Sequence, residues 1–381
     1  MGRRSAIILC FAVATLVAIG LVALASTSPW AEAEDGERYF HLKRQVLWTG
    51  IGFAAAVGMG LMDYRLLRKF WIPILGGACV LLALCYVPGI GQEHYGETRW
   101  IRLPLLGQFQ PSEIAKIAII IGLAAWYAQY QAEAKCFWRG FVFPGMILGI
   151  PTALIFFEKD MGTAAAIGGA GFALMFVAGT RTWLLGITAA GALGALGYVV
   201  RADAERWERI MAFMDLEGTR LGAGLQQYRA MLAFGSGGMW GVGLGNGAEK
   251  HGYLPFAHTD FIFSMIGEEM GLAATLGVVF CFVLITTMGI WISLQAEDHF
   301  GRLLGFGLTA VIVVPAMMNM GVTTAVLPNT GLPLPFVSYG GSNLVFTLAA
   351  VGMLVSLHRR SCSLERVEMP VIKERKLALK I

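Results

Sequence analysis

Asp260 ends the run Tyr253-Leu254-Pro255-Phe256-Ala257-His258-Thr259-Asp260, with Lys250 and His251 just upstream. A carboxylate there can take a proton from a hydroxyl or hold a divalent ion beside a diphosphate. The plainer reading is a helix cap, yet His258, Thr259 and Asp260 form the densest polar group at any outer helix mouth. Glu113 and Lys116 open another apolar helix at i,i+3 spacing, within reach of each other. They either orient that helix at an interface, with Lys116 snorkelling, or hold a functional cavity. Asp160, in Lys159-Asp160-Met161-Gly162-Thr163, reads equally as an N-cap and as a substrate or metal contact. Glu268 and Glu269 follow Asp260 in one helix. At about 100° per residue only Glu268, about 80° away, could share a cavity with Asp260. The glycines of Gly235–Gly238 and Gly241–Gly245 lack a following Lys-Ser or Lys-Thr, so they suit tight turns rather than a nucleotide.

The elements that carry these residues are built for lipid. Hydrophobic residues make up 56% of the 381 and charged residues 14%, against about 25% charge in soluble domains. Apolar runs near 6–26, 45–62, 71–87, 112–129, 140–157, 161–179, 182–200, 261–294, 302–325 and 340–358 predict an all-α polytopic membrane protein of about ten spans. The three-residue link Glu158-Lys159-Asp160 makes the fifth and sixth spans antiparallel neighbours. The eighth run, at 1.5 Å per residue, is about 50 Å long. It must therefore project from the membrane or bend at Gly267 or Gly271. The run Ile7–Ala25 is too long for a secretory signal and reads as a retained first helix.

Arg65, Arg68, Lys69, Lys135, Arg139, Arg181, Arg302 and the tail from Arg359 place both termini in the cytoplasm. The first outer loop is acidic, with Glu32, Glu34, Asp35 and Glu37. The chain thus divides into one transmembrane domain, 1–358, and a basic cytoplasmic tail, 359–381. One long extracytoplasmic segment, 201–260, joins the seventh and eighth helices and has the periodicity of short amphipathic helices. The other outer loops are near 88–111 and 326–339. None of the six cysteines has metal or redox spacing, so all are expected to be packing residues. No nucleic-acid partner is expected.

Four stretches carry a resemblance: YLPFAHTDFIFSMIGEEMG, TGLPLPFVSYGGSNL (Thr330 to Leu344), RWIRLPLLGQFQPSEIAK (Arg99 to Lys116) and FGSGGMWGVGLGN (Phe234 to Asn246). In this order they resemble the SEDS proteins, membrane glycosyltransferases of bacterial elongation, division and sporulation, and the division branch more than the elongation branch. The resemblance covers nearly the whole chain. It implies polymerisation of lipid II into glycan strands at the outer face of the cytoplasmic membrane, at the division septum. The implied partners are a class B penicillin-binding transpeptidase and other divisome membrane proteins.

The family's essential Asp falls on Asp260, its fourth-helix Glu and Lys on Glu113 and Lys116, and its Asp before Gly-Thr on Asp160. Two departures stand out: Phe256 where the pattern has Glu, and Lys159 where it has Pro. The resemblance makes Asp260 a base toward an acceptor hydroxyl or a ligand of Mg2+ or Mn2+. Arg99, Lys250, His258, Thr259 and Ser338 are expected to bind substrate, and Glu113, Lys116, Asp160 and Glu268 to support the cavity. A lipid II flippase and a non-enzymatic scaffold for a transpeptidase are the competing classes. The acidic residues cluster toward the outer end rather than the midplane, which favours chemistry over transport.

Overall fold

The computed structural model describes residues 2–30, 38–94, 97–103 and 107–378. Glu32, Glu34, Asp35 and Glu37 of the acidic first loop, and Lys380 of the tail, lie outside the described residues. Each of the ten apolar runs falls on a helix. These are α1 Gly2–Thr27, α2 Phe40–Leu61, α4 Trp71–Leu84 (after the short α3, Arg65–Lys69), α5 Pro111–Gln129 and α6 Phe143–Phe157. After them come α7 Met161–Val177, α8 Thr182–Ala202, α11 Ile262–Leu294, α12 His299–Thr323 and α13 Gly341–Ala378. Among the described residues seven segments are long and apolar enough to cross a membrane. α4 and α7 are shorter apolar helices, and α2 falls in neither group. The segment between α8 and α11 carries α9 Ala204–Met214 and α10 Leu225–Gly237.

The fold is not purely helical. The outer loop near 88–111 forms a three-stranded antiparallel sheet of β1 Gly91–His94, β2 Glu97–Leu103 and β3 Gly107–Phe109, with Gln92 opposite Trp100 and Ile101 opposite Phe109. Pairing satisfies backbone groups that a loose loop beside the membrane would leave exposed.

α2 packs along α13, α1 along α11, and α12 sits between α5, α7 and α11. Because lipid is as apolar as leucine, such packing relies on close backbone approach as well as on apolar area. α1 is part of the bundle, burying Leu9, Ala12, Val13 and Leu16. The basic segments meet at one end: Arg65 pairs with Glu297 at 2.5 Å, Arg360 with Asp63 at 2.5 Å, and Tyr64 donates to Asp298, the N-cap of α12. All six cysteines are free.

Of projection or a bend, the long eighth run shows a bend, at Gly271. Gly271 has φ 77° and ψ −175°, a conformation reserved for glycine. The break frees carbonyls that the Gly-rich loop then captures. Val242 and Gly243 donate to Glu268 and Glu269 carbonyls at 2.9 and 3.1 Å, and Leu272 donates back to Gly238 at 2.9 Å.

Candidate functional site

At the end opposite the basic cluster, four helix termini and the sheet enclose an open cavity of about 250 Å3. α5 begins with Pro111 at its first position, which needs no N–H donor there. One turn on, Glu113 and Lys116 form an ion pair of 2.7 Å that is buried, so it belongs to the cavity wall rather than to a lipid interface. α7 begins at Asp160, whose Oδ1 accepts from the Thr163 N–H at 3.0 Å. Its Oδ2 accepts from Gln110 Nε2 at 3.2 Å and faces Arg99 Nη1 of β2 at 3.6 Å. Cap and cavity contact are therefore one carboxylate used on both sides.

Asp260 lies two residues before α11 and lines the same cavity with Thr259. Its position is set from α12. Buried Asn319 donates to the Asp260 carbonyl at 2.7 Å and to the Leu332 carbonyl at 2.6 Å, fastening the Asp260 loop and the Pro-rich loop to one helix. Ser338 is buried and donates to the Thr259 carbonyl at 2.6 Å while accepting from Leu334 N–H at 2.8 Å. Gln45 of α2 ties down Ser338 and Gly340 from the other side. The structure thus gives Ser338 a positioning place behind the cavity wall. His258 is likewise behind the wall: its ring lies 4.6 Å from His41, which lies 4.7 Å from Tyr339. Burial, then the neighbouring His41, lowers the His258 pKa to about 4, so the ring is neutral at ordinary pH.

Both departures from the family pattern fall on left-handed backbone. Lys159 has φ 66° and Phe256 has φ 57°. Proline fixes φ near −65°, so a proline at 159 would require a different turn before Asp160. Phe256 is exposed, so no carboxylate near Asp260 is supplied from that position.

Two expected site residues are elsewhere. Lys250 is buried in an ion pair with Glu269 at 2.7 Å and donates to Ser26 of α1 at 2.8 Å. Glu268 turns to the loop, accepting from the Ala248 and Glu249 N–H groups at 2.7 and 3.3 Å. The helical-wheel argument for Glu268 failed because the chain before Ile262 is not helical, so the 100° step does not run from Asp260. Lys250 is near Asp260 in sequence but is drawn away from the cavity by Glu269 and Ser26.

Arg44, Trp48 and Trp100 line the cavity and were not singled out from the sequence. Arg44 had a signal: it lies near the outer end of a membrane helix, where basic residues are disfavoured. Its guanidinium sits 4.5 Å over the Phe40 ring. Asn319 and Gln45 had no such signal, since a lone amide in an apolar helix does not reveal its loop partners.

The cavity thus carries the carboxylates Glu113, Asp160 and Asp260 with the cations Arg44, Arg99 and Lys116. Such a site can neutralise an anionic group and offer a base beside it. Among the described residues no three His, Cys, Asp or Glu side chains converge as a metal cage. A magnesium-type ion needs only one or two carboxylates when substrate phosphates complete its shell. Asp260, a carboxylate lining the cavity, fits that minimal donor set.

This is the architecture of a polytopic membrane protein with an open polar cavity at one membrane face. The family model described as "Cell cycle protein", covering FtsW, RodA and SpoVE, matches residues 6–363, and the chain belongs to this family. It is 39% identical to a probable peptidoglycan glycosyltransferase FtsW of Geobacter metallireducens, over 94% of this chain and 95% of that one. It is 35% identical to the stage V sporulation protein E of Bacillus subtilis, over 91% and 94%. A solved peptidoglycan synthase complex that coordinates polymerisation and crosslinking contains a chain matching at TM-score 0.77 and 28% identity, over 93% and 97%. Thermus thermophilus RodA matches at TM-score 0.66 and 27% identity, over 92% and 95%.

Proposed function

We propose that the chain is a peptidoglycan glycosyltransferase that polymerises lipid II, with Asp260 at the reacting centre. The observation that carries this reading is the convergence of Asp260 with Arg44, Arg99 and the Glu113–Lys116 pair on one open cavity. The acceptor sugar's 4-hydroxyl gives its proton to the Asp260 carboxylate as its oxygen bonds to the donor's anomeric carbon. The bond from that carbon to phosphate breaks, and undecaprenyl diphosphate leaves with the electron pair. Arg44 and Arg99 hold the diphosphate, while Asp160, itself held by Gln110, faces Arg99. Trp48 and Trp100 offer faces to the sugar rings. A divalent ion bound by Asp260 and the diphosphate would add charge neutralisation on the leaving group. The substrate's lipid tails remain in the bilayer, which suits a cavity opening at one membrane face.

Similarity to a chain of a peptidoglycan synthase complex supports a transpeptidase partner, and similarity to FtsW proteins supports work at the division septum with other divisome membrane proteins. The test is glycan synthesis from lipid II by purified protein with its transpeptidase, products resolved on a gel. A polymer ladder from wild type and none from Asp260→Asn is expected. Equal ladders from both would remove Asp260 from the centre. Headgroup translocation in proteoliposomes without polymer would replace the reading with transport.

A further inference from the structure

We propose that the groove between α4, α5 and α6, at the basic end of the molecule, binds one acyl chain of an anionic phospholipid. It is separate from the polar cavity and has about 260 Å3 of space. Its walls are apolar: Trp71, Leu75 and Cys79 of α4, Trp126 of α5, and Met146 and Ile150 of α6. Its floor depends on Gly122, where a Cβ would meet Ile147 at 3.1 Å and Leu75 at 3.6 Å.

The groove's length selects its occupant. From Trp71 to Cys79 the helix rises about 12 Å, close to the ~15 Å half-thickness of a bilayer core. One leaflet's acyl chain fills such a slot, whereas a membrane-spanning helix needs about twice the length. Its mouth lies at headgroup level. Trp71 and Trp126 meet edge to face at 6.4 Å, and Trp126 Nε1 donates to the Arg139 carbonyl at 2.8 Å. Phe137 and Trp138 are exposed beside them, forming an interfacial aromatic belt.

The charge at that mouth selects the headgroup. Arg68 and Lys69 end α3 directly before α4, and Lys135 and Arg139 precede α6. The acid in that connection, Glu133, is already paired with Arg139 at 2.5 Å. The mouth therefore carries net positive charge where a lipid phosphate would sit. Each such cation strengthens binding to anionic lipid severalfold.

The test uses purified full-length protein in detergent, titrated with dioleoylphosphatidylglycerol or dioleoylphosphatidylcholine, with bound lipid counted by native mass spectrometry. One phosphatidylglycerol should be retained about tenfold more tightly than phosphatidylcholine. Cys79→Phe puts a ring in the slot and should weaken that lipid at least about fivefold. Combined Lys69→Ala and Lys135→Ala should bring phosphatidylglycerol most of the way down to the phosphatidylcholine level without changing the latter. Leu193→Phe on the exposed face of α8 should change nothing. If Cys79→Phe is not monodisperse, Ile150→Phe fills the slot from the other wall. Unchanged binding by the filling variant, or equal loss in Leu193→Phe, would reduce the observation to annular lipid and overturn the proposal. Displacement by equimolar undecaprenyl phosphate would overturn it in favour of an isoprenoid site.

Discussion

Asp260 and Glu269 are nine residues apart in the chain and anchor two polar regions built on the same chemistry. Around Glu269, Lys250, Ser26 and the Gly245 N–H converge, and the neighbouring Glu268 takes the Ala248 and Glu249 N–H groups. Each of these partners is another part of the protein, and Lys250, Glu268 and Glu269 are all buried. Around Asp260 the carboxylates and cations instead line a space open to a ligand. Both regions contain a Lys–Glu pair of 2.7 Å, Lys250–Glu269 and Lys116–Glu113. An ion pair alone therefore does not mark the reactive centre. What distinguishes the regions is whether the polar groups enclose only one another or also a volume.

Four experiments sharpen that contrast. The largest effect is expected from Asp260→Asn, which should lower polymerisation by about 10^2–10^4-fold, the range for loss of a general base. The fold should survive the change, because the loop is also held by Asn319 through the Asp260 carbonyl, which the substitution leaves in place. A parallel collapse in stability would make the residue structural.

Lys250→Met should do the reverse. It leaves Glu269 charged and buried, costing about 3–5 kcal/mol, which is read as a lower melting midpoint and yield. Adding Glu269→Gln should recover part of the loss. The activity of whatever folds should remain close to wild type, and a purely catalytic defect would place Lys250 in the reaction instead.

Arg44→Gln and Arg99→Gln should each raise the KM for lipid II by about tenfold, since a charged hydrogen bond contributes about 1.5–3 kcal/mol. An unchanged KM in both would mean the diphosphate binds elsewhere. Combining them should deepen the effect, because the two cations reach the cavity from α2 and β2 separately.

The smallest effect concerns Glu158, in the link beside Asp160. It is buried and faces the Cys85 thiol, with no well-formed hydrogen bond to either oxygen. Burial, and then the Asp160 charge, push its pKa up to about 8 from 4.5. The folded protein therefore holds a proton that the unfolded chain releases. This contribution is intact below about pH 4.5 and declines as pH rises toward 8. Glu158→Gln should flatten the fall in melting midpoint between pH 5.5 and 8.5 by a few degrees. An unaltered slope would mean that the carboxylate is solvated.

The sequence by itself determined the bundle. Apolar runs of membrane length, the basic residues between them and the three-residue link at Glu158–Asp160 follow from what a bilayer tolerates, and each run became a helix. It also marked Asp160, Glu113, Lys116 and Asp260, because charge near lipid is costly and stands out. Length and glycine together narrowed the eighth run to projection or a bend, and the structure places a break at Gly271. Tertiary structure alone decided which charges face the cavity. Lys250 and Glu268 looked as promising as Arg99, yet their partners come from α1 and from a glycine loop folded back on a helix break. Arg44, Asn319 and Gln45 reach the site from α2 and α12, more than fifty residues from Asp260. Their roles rest on long-range packing that local patterns do not encode. The sheet at Gly91–Phe109 escaped for a related reason: its short strands are specified by one another and by the helix ends they bridge, not by a repeating apolar period.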